Sequence, residues 1–134
     1  MKIDSLLLLA EYFAGKKEIS FCLMYEDESA GRTAKNLALF LDTDVVRKGE
    51  TGFFLGTIRD EIRGILKKQA FGIVCLNDAE ESLRHKVIES STPVFCRDER
   101  PMREYCRKVY REDLSHQKKF KFTDLSGISL LLAL

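Results

Sequence analysis

Short apolar runs alternate along the chain with longer segments in which apolar residues recur every three or four positions. The runs cover residues 19–25, 37–41 and 71–76. Each is too short for the apolar face of a helix and is rich in strand-forming residues, which is typical of strands buried on both faces of a sheet. A shorter strand at 94–96 follows Pro93, which cannot donate a ladder hydrogen bond, so we predict it at a sheet edge.

The segments between these runs predict helices. A first helix begins at a cap on Asp4 or Ser5 and ends near Ala14, where Gly15 provides the stop. The polar segment 26–33 contains no apolar period and predicts a turn with one short helix.

Three further helices are predicted from apolar residues on one helical face. They cover about residues 54–69, 79–92 and 101–113. The stripe residues are, in order, Phe54, Ile58, Ile62, Ile65 and Leu66; Leu83, Val87 and Ile88; and Met102, Tyr105, Cys106, Val109 and Tyr110. We interpret each stripe as the core-facing side of its helix.

These elements predict an α+β fold with a mixed sheet of three to four strands flanked by helices. A chain of 134 residues with 45% hydrophobic content is long enough for one core and too short for two. We therefore expect one domain at residues 1–116. Residues 117–134 are first basic and then apolar, and we expect this tail to dock on the domain or on a second copy.

Composition narrows the classes of partner. Charged residues make up 32% of the chain and nearly cancel to a net charge of +1, so no strong field favours nucleic acid or an acidic membrane. No run approaches the roughly 20 apolar residues that cross a bilayer. The four cysteines lie far apart in the sequence, which favours small buried hydrophobes of a reducing, cytoplasmic environment over a zinc or redox motif.

The spacing of the histidines and arginines along the chain indicates neither a metal site nor a nucleic-acid site. His85 lies between Arg84 and Lys86 and is predicted on the exposed side of its helix, while His116 lies near the basic tail. Basic residues from Arg97 onward alternate with acidic ones, which indicates a solvated face with salt bridges. We therefore expect no metal site and no nucleic-acid site.

The order of elements in the second half, with its short motifs, resembles the minimal nucleotidyltransferases of the DNA polymerase beta superfamily. The motifs are the strand that ends in Leu76-Asn77, the helix with Leu-Arg at 83–84 and Val-Ile at 87–88, and the Phe-Cys-Arg-Asp sequence at 95–98. The resemblance extends over residues 3–113. It implies a nucleotidyltransferase-like fold and a pocket for two-metal phosphoryl transfer.

In that family a strand ends in Gly-Ser, a short helix follows, and the next strand begins with Asp-x-Asp. A third metal-binding carboxylate lies on the strand after that. The corresponding positions here, including a later glycine of the motif, are Glu26, Asp27, Gly31, Ala34, Asn36 and Gly72. None of the three metal carboxylates is present, so we expect a vestigial pocket with no catalytic residue, no metal and no cofactor.

Two acidic residues also replace the Gly-Ser pair that would hold a triphosphate. At an effective dielectric constant near 20, two like charges about 4 Å apart repel each other by roughly 4 kcal/mol. The resemblance therefore implies a catalytically inactive protein that acts by binding. Minimal nucleotidyltransferases often serve as antitoxins, so we expect an antitoxin-like protein partner or a homo-oligomer.

Two alternatives remain at this stage. The first is a divergent, active Mg²⁺-dependent nucleotidyltransferase that uses Glu26, Asp27 or Glu28 for metal. The second is an unrelated α/β interaction module, for which parallel pairing of the first two long strands through a crossover would be evidence.

Overall fold

The computed structural model describes residues 3–29, 32–47, 49–67 and 69–116. The predicted tail at 117–134 lies outside the described residues. In chain order the elements are α1 (Ile3–Ala14), β1 (Ile19–Ser29), β2 (Arg32–Leu41), α2 (Thr51–Leu66), β3 (Gly72–Cys75), a short 3₁₀ turn (Leu76–Asp78), α3 (Glu81–Ser90), β4 (Thr92–Cys96) and α4 (Glu99–His116).

The fold is α+β, as predicted, with one mixed sheet of four strands in the order β3-β2-β1-β4. β1 pairs antiparallel with β2 and with β4, whereas β2 and β3 are parallel and are connected through α2. The strand that contains Pro93 lies at one edge of the sheet, which confirms its predicted position.

The prediction of a turn and short helix at 26–33 is wrong. β1 continues to Ser29 and β2 begins at Arg32, so the two strands form a long antiparallel hairpin with two residues between them. Cross-strand pairing explains the difference, because Glu26 lies opposite Lys35 and opposite charges stabilise such a pair. Pairing with a neighbouring strand outweighs the low strand propensity of the acidic residues.

Helices cover both faces of the sheet, which explains why the strands are continuous apolar runs rather than alternating ones. On one face, Phe21 and Leu23 pack against α3 and α4. On the other, Cys22 and Leu39 pack against α1 and α2. Within the first face, the Phe21 and Phe40 rings stack with centroids 4.9 Å apart.

The three predicted apolar stripes are confirmed as core. Their buried members are Ile58, Ile62 and Leu66 on α2, Val87 and Ile88 on α3, and Met102, Tyr105, Cys106 and Val109 on α4. The helix bounds differ by a few residues. The largest difference is at α2, which covers Thr51–Leu66 rather than 54–69. The 3₁₀ turn at Leu76–Asp78 delays the start of α3 to Glu81.

One arginine joins three elements at the end of α1. Arg97, which follows β4, donates through Nη2 to the carbonyl oxygens of Phe13, Ala14 and Lys16 at 2.9, 3.3 and 2.9 Å. Its Nε donates to the carbonyl of Ile19 at 3.3 Å. A cation at a helix C-terminus also interacts favourably with the helix dipole. Arg97 therefore fixes α1 to the start of β1.

We expect Arg97→Ala to lower the free energy of unfolding by about 1–2 kcal/mol, because carbonyls at the α1 terminus lose a charged donor. Arg97→Lys should recover only part of this loss, since an ammonium group cannot span the same carbonyls. Urea unfolding measures both values. The exposed Arg100, whose substitution by alanine should change stability by less than about 0.5 kcal/mol, is the control. Equal effects at the two positions would contradict this role.

Candidate functional site

The strand register brings together the three positions to which the resemblance assigns the metal carboxylates. Ala34 and Asn36 are two residues apart on β2, so both positions lie on the same face of the sheet. Asn36 pairs directly with Gly72 on β3. This face is the one covered by α3 and α4, because Ala38 and Val74 continue the two rows into that core. The three positions thus meet at one place.

The Asn36 amide fills the space above Gly72. A Cβ atom added to Gly72 would lie 2.1 Å from Asn36 Oδ1 and 3.3 Å from its Cγ. A glycine is therefore needed at this position while Asn36 keeps its conformation. Alanine, asparagine and glycine provide no negative charge, so these side chains give a divalent cation none of the carboxylates that two-metal transfer uses.

Glu26 and Asp27, which the resemblance aligns with Gly-Ser, point to opposite faces of the sheet, because they are consecutive in β1. Asp27 forms an ion pair with Lys86 of α3, whereas Glu26 is exposed. The buried Tyr25 has a raised pKa, chiefly from desolvation and then from the charge of Asp27. The lysine offsets the charge of Asp27. Gly31 lies outside the described residues.

A cavity of about 590 Å³ opens at the other end of the parallel strand pair, beyond Leu41 and Cys75. Leu41 is five residues after Asn36, or about 16 Å along the strand. Among the described residues, the cavity wall contains none of the vestigial positions. The vestigial site and this cavity are therefore separate.

Asn77 fixes the wall of this cavity. Its Oδ1 accepts from the Leu41 amide at 2.8 Å, and its Nδ2 donates to the Leu41 carbonyl at 2.9 Å. Its Oδ1 also accepts from Cys75 Sγ at 3.4 Å. Through these hydrogen bonds the Asn77 side chain holds the turn after β3 against the end of β2. Sequence reasoning used Asn77 only as part of the resemblance and missed this role.

The prediction that His85 lies on the exposed side of its helix is wrong. Its side chain is only 11% exposed, because α4 packs across α3 and brings Glu112 beside it. His85 Nε2 lies 3.8 Å from Glu112 Oε2 and 4.0 Å from Glu81 Oε1. Arg84 donates to Glu112 Oε2 at 2.7 Å, and this bond lowers the pKa of the Glu112 carboxyl.

The four cysteines are free thiols, and the prediction that they are buried is confirmed for two of them. Cys22 and Cys106 are buried, and Cys75 and Cys96 are half-buried. Desolvation raises the pKa of the Cys106 thiol to about 11. This thiol is protonated at neutral pH and behaves as a small apolar side chain.

No protein-family model matches this chain, and no curated protein is significantly similar to it. Within the described ranges, none of the helices combines the length and apolar character required to cross a bilayer.

The contact between Gly72 and Asn36 predicts a strong coupling. We expect Gly72→Ala to destabilise the protein by about 1–2 kcal/mol, because the new methyl group forces the Asn36 amide to move. In an Asn36→Ala background the same substitution should cost much less, with a coupling energy of at least about 1 kcal/mol. Chemical denaturation of the four proteins measures this cycle.

Gly64→Ala is the matched control. It lies in α2, and a Cβ atom there would meet nothing within 4 Å. We expect this substitution to stabilise the helix by up to about 1 kcal/mol. Additive effects of the Gly72 and Asn36 substitutions would contradict the close contact.

Proposed function

We propose that this protein is a catalytically inactive nucleotidyltransferase-like protein that acts by binding another protein chain. The observation that carries the proposal is the meeting of Ala34, Asn36 and Gly72 on one face of adjacent strands. The resemblance assigns the metal carboxylates to these positions, and the register brings the positions together without the charges. A site with these three residues has no carboxylate for a metal ion that would neutralise a transferred phosphoryl group.

The hairpin supports the loss of nucleotide binding. In the resembled family a helix follows the Gly-Ser pair, and its terminal amides help to hold the triphosphate. Here β1 continues past Glu26 and Asp27 as a strand, and only two residues separate it from β2. No helix fits between the strands. The phosphate-binding amides of that helix and the metal-binding carboxylates are both replaced.

The alternative of an active, divergent nucleotidyltransferase is less well supported. Glu26 and Asp27 cannot bind one ion together, since they lie on opposite faces of β1. Asp27 is also paired with Lys86. A metal ion at this carboxylate would have to displace the lysine.

The alternative of an unrelated α/β module would be favoured by a parallel first pair of strands. β1 and β2 are instead antiparallel. The first strand pair therefore lacks the feature that would have favoured this alternative.

A surface of α1 supports action through a protein partner. Ile3, Leu7 and Leu8 are 75, 64 and 50% exposed and are neighbours on the helix. We call these three residues the α1 surface. A cluster of large exposed apolar side chains is typical of a protein contact. We propose that the α1 surface forms a homodimer contact, and that the protein serves in the cytoplasm as an antitoxin-like partner of a toxin.

The loss of nucleotide binding is tested by thermal unfolding with Mg²⁺ and each common nucleoside triphosphate. A ligand present at a hundred times its dissociation constant stabilises a protein by about 2.7 kcal/mol, which raises the melting temperature of a chain of 134 residues by roughly 10 °C. We expect no such shift, and no transfer from a labelled nucleoside triphosphate. A Mg²⁺-dependent shift or transfer that disappears in Asp27→Ala would instead identify the active alternative.

The dimer contact is tested by light scattering after size-exclusion chromatography. We expect twice the 15.4 kDa mass of one chain for the unmodified protein and a single-chain mass for Leu7→Glu. Phe53→Glu is the matched control, because Phe53 is 84% exposed and lies at the start of α2. The hydrogen bond from Gln69 to Ser5 places the other end of α2 near Leu7. A single-chain mass without any substitution would contradict the homodimer.

A further inference from the structure

We propose that Glu81, His85 and Glu112 form a binding site for a divalent transition-metal ion, for which Zn²⁺ is the best fit. The site is independent of the vestigial pocket and of the proposed function. Its ligands come from two helices that pack against each other, α3 and α4.

Helix geometry places the first two ligands together. Glu81 and His85 are four residues apart in α3, so their side chains lie on the same face, one turn apart. Glu112 reaches the same point from α4. One ligand atom from each residue lies within 4.8 Å of the others.

The separations are close to those of a metal site. In a tetrahedral zinc site with bonds of about 2.1 Å, ligand atoms are about 3.4 Å apart. His85 Nε2 lies 3.8 and 4.0 Å from the two carboxylates. Small side-chain rotations would shorten these separations to about 3.4 Å. Glu81 has room to rotate because its side chain is 44% exposed. Three protein ligands leave a fourth position for water.

The donor atoms determine the class of ion. One imidazole nitrogen with two carboxylate oxygens suits zinc and its first-row neighbours, whereas Mg²⁺ and Ca²⁺ prefer oxygen ligands throughout. The imidazole is nearly buried, which limits competition from bulk water at that ligand. The site therefore discriminates between Zn²⁺ and Mg²⁺.

Arg84 provides the outer support that metal-binding carboxylates usually have. It donates to Glu112 Oε2 at 2.7 Å and also to the carbonyl of Ala79, and it keeps Glu112 ionised. Arg84 and Lys108 offset part of the negative charge of Glu112. We therefore expect weaker binding than in a structural site with four ligands.

Sequence reasoning missed this site because its third ligand is distant in the chain. The pair Glu81 and His85 has the spacing of two ligands on one helix, but that pattern is common on solvated helices. Only the packing of α4 on α3 brings Glu112 to the pair.

The test is a Zn²⁺ titration of the full chain by calorimetry, with Mg²⁺ as the comparison ion. We expect one Zn²⁺ per chain, no binding of Mg²⁺, and an affinity at least about tenfold weaker in His85→Gln and in Glu81→Gln. Glu81→Gln guards against misfolding, because it changes the most exposed of the three ligands and keeps its shape. Circular dichroism checks that both variants remain folded.

The chain contains a second histidine, which provides the matched control. His116→Gln should bind Zn²⁺ as the unmodified protein does. Binding that is unchanged in folded His85→Gln, or lost equally in His116→Gln, would overturn the assignment. Absence of Zn²⁺ binding would also overturn it, and would identify the cluster as an imidazole between two carboxylates. A thiolate charge-transfer band on loading with Co²⁺ would assign the metal to cysteine and likewise refute the site.

Discussion

The requirement to bury both faces of the β1–β2 hairpin organises the rest of the molecule. These two strands are central in the sheet, and their adjacent residues point to opposite sides. Leu23 and Cys22 are consecutive, and both are buried, each in a different core. Neither face can be left to solvent, so two helices lie on each side. The helix order follows from the crossovers that return the chain to this sheet.

β1 and β2 are longer than β3 and β4, and the vestigial site lies where the shorter strands end. β3 pairs with β2 only at residues 36–39, and β4 pairs with β1 only at residues 21–24. Beyond Asn36 and Tyr25 the described sheet narrows to the two hairpin strands. The polar residues 26 and 27 lie there, where the helices no longer enclose both faces. Positions 34, 36 and 72 thus lie at the border between the four-stranded core and the protruding hairpin.

The parts of the fold that rest on local apolar pattern were predictable, and those that rest on pairing were not. The cores of all four strands and the buried stripes of three helices follow from residue spacing alone. Arg84, His85 and Lys86 show what that method misses. The helices are predicted from the positions of their apolar residues alone. On that basis three consecutive basic residues are assigned to the solvent-exposed side. Their partners are Glu112 for Arg84, Glu81 and Glu112 for His85, and Asp27 for Lys86. All but Glu81 lie on other elements.

Successive residues of a helix point about 100° apart, so three consecutive side chains reach in different directions. Arg84 and His85 reach α4, whereas Lys86 reaches the hairpin at Asp27. The proposed metal site and the vestigial pocket therefore each contact residues of the same turn of α3. The Lys86 ion pair is about half exposed, so it adds little to stability. Its consequence is instead local, because it places an ammonium group beside Asp27, one of the carboxylates that the active alternative would use for a metal ion. The same helix that carries two of the proposed metal ligands on one side thus disfavours a cation on the other.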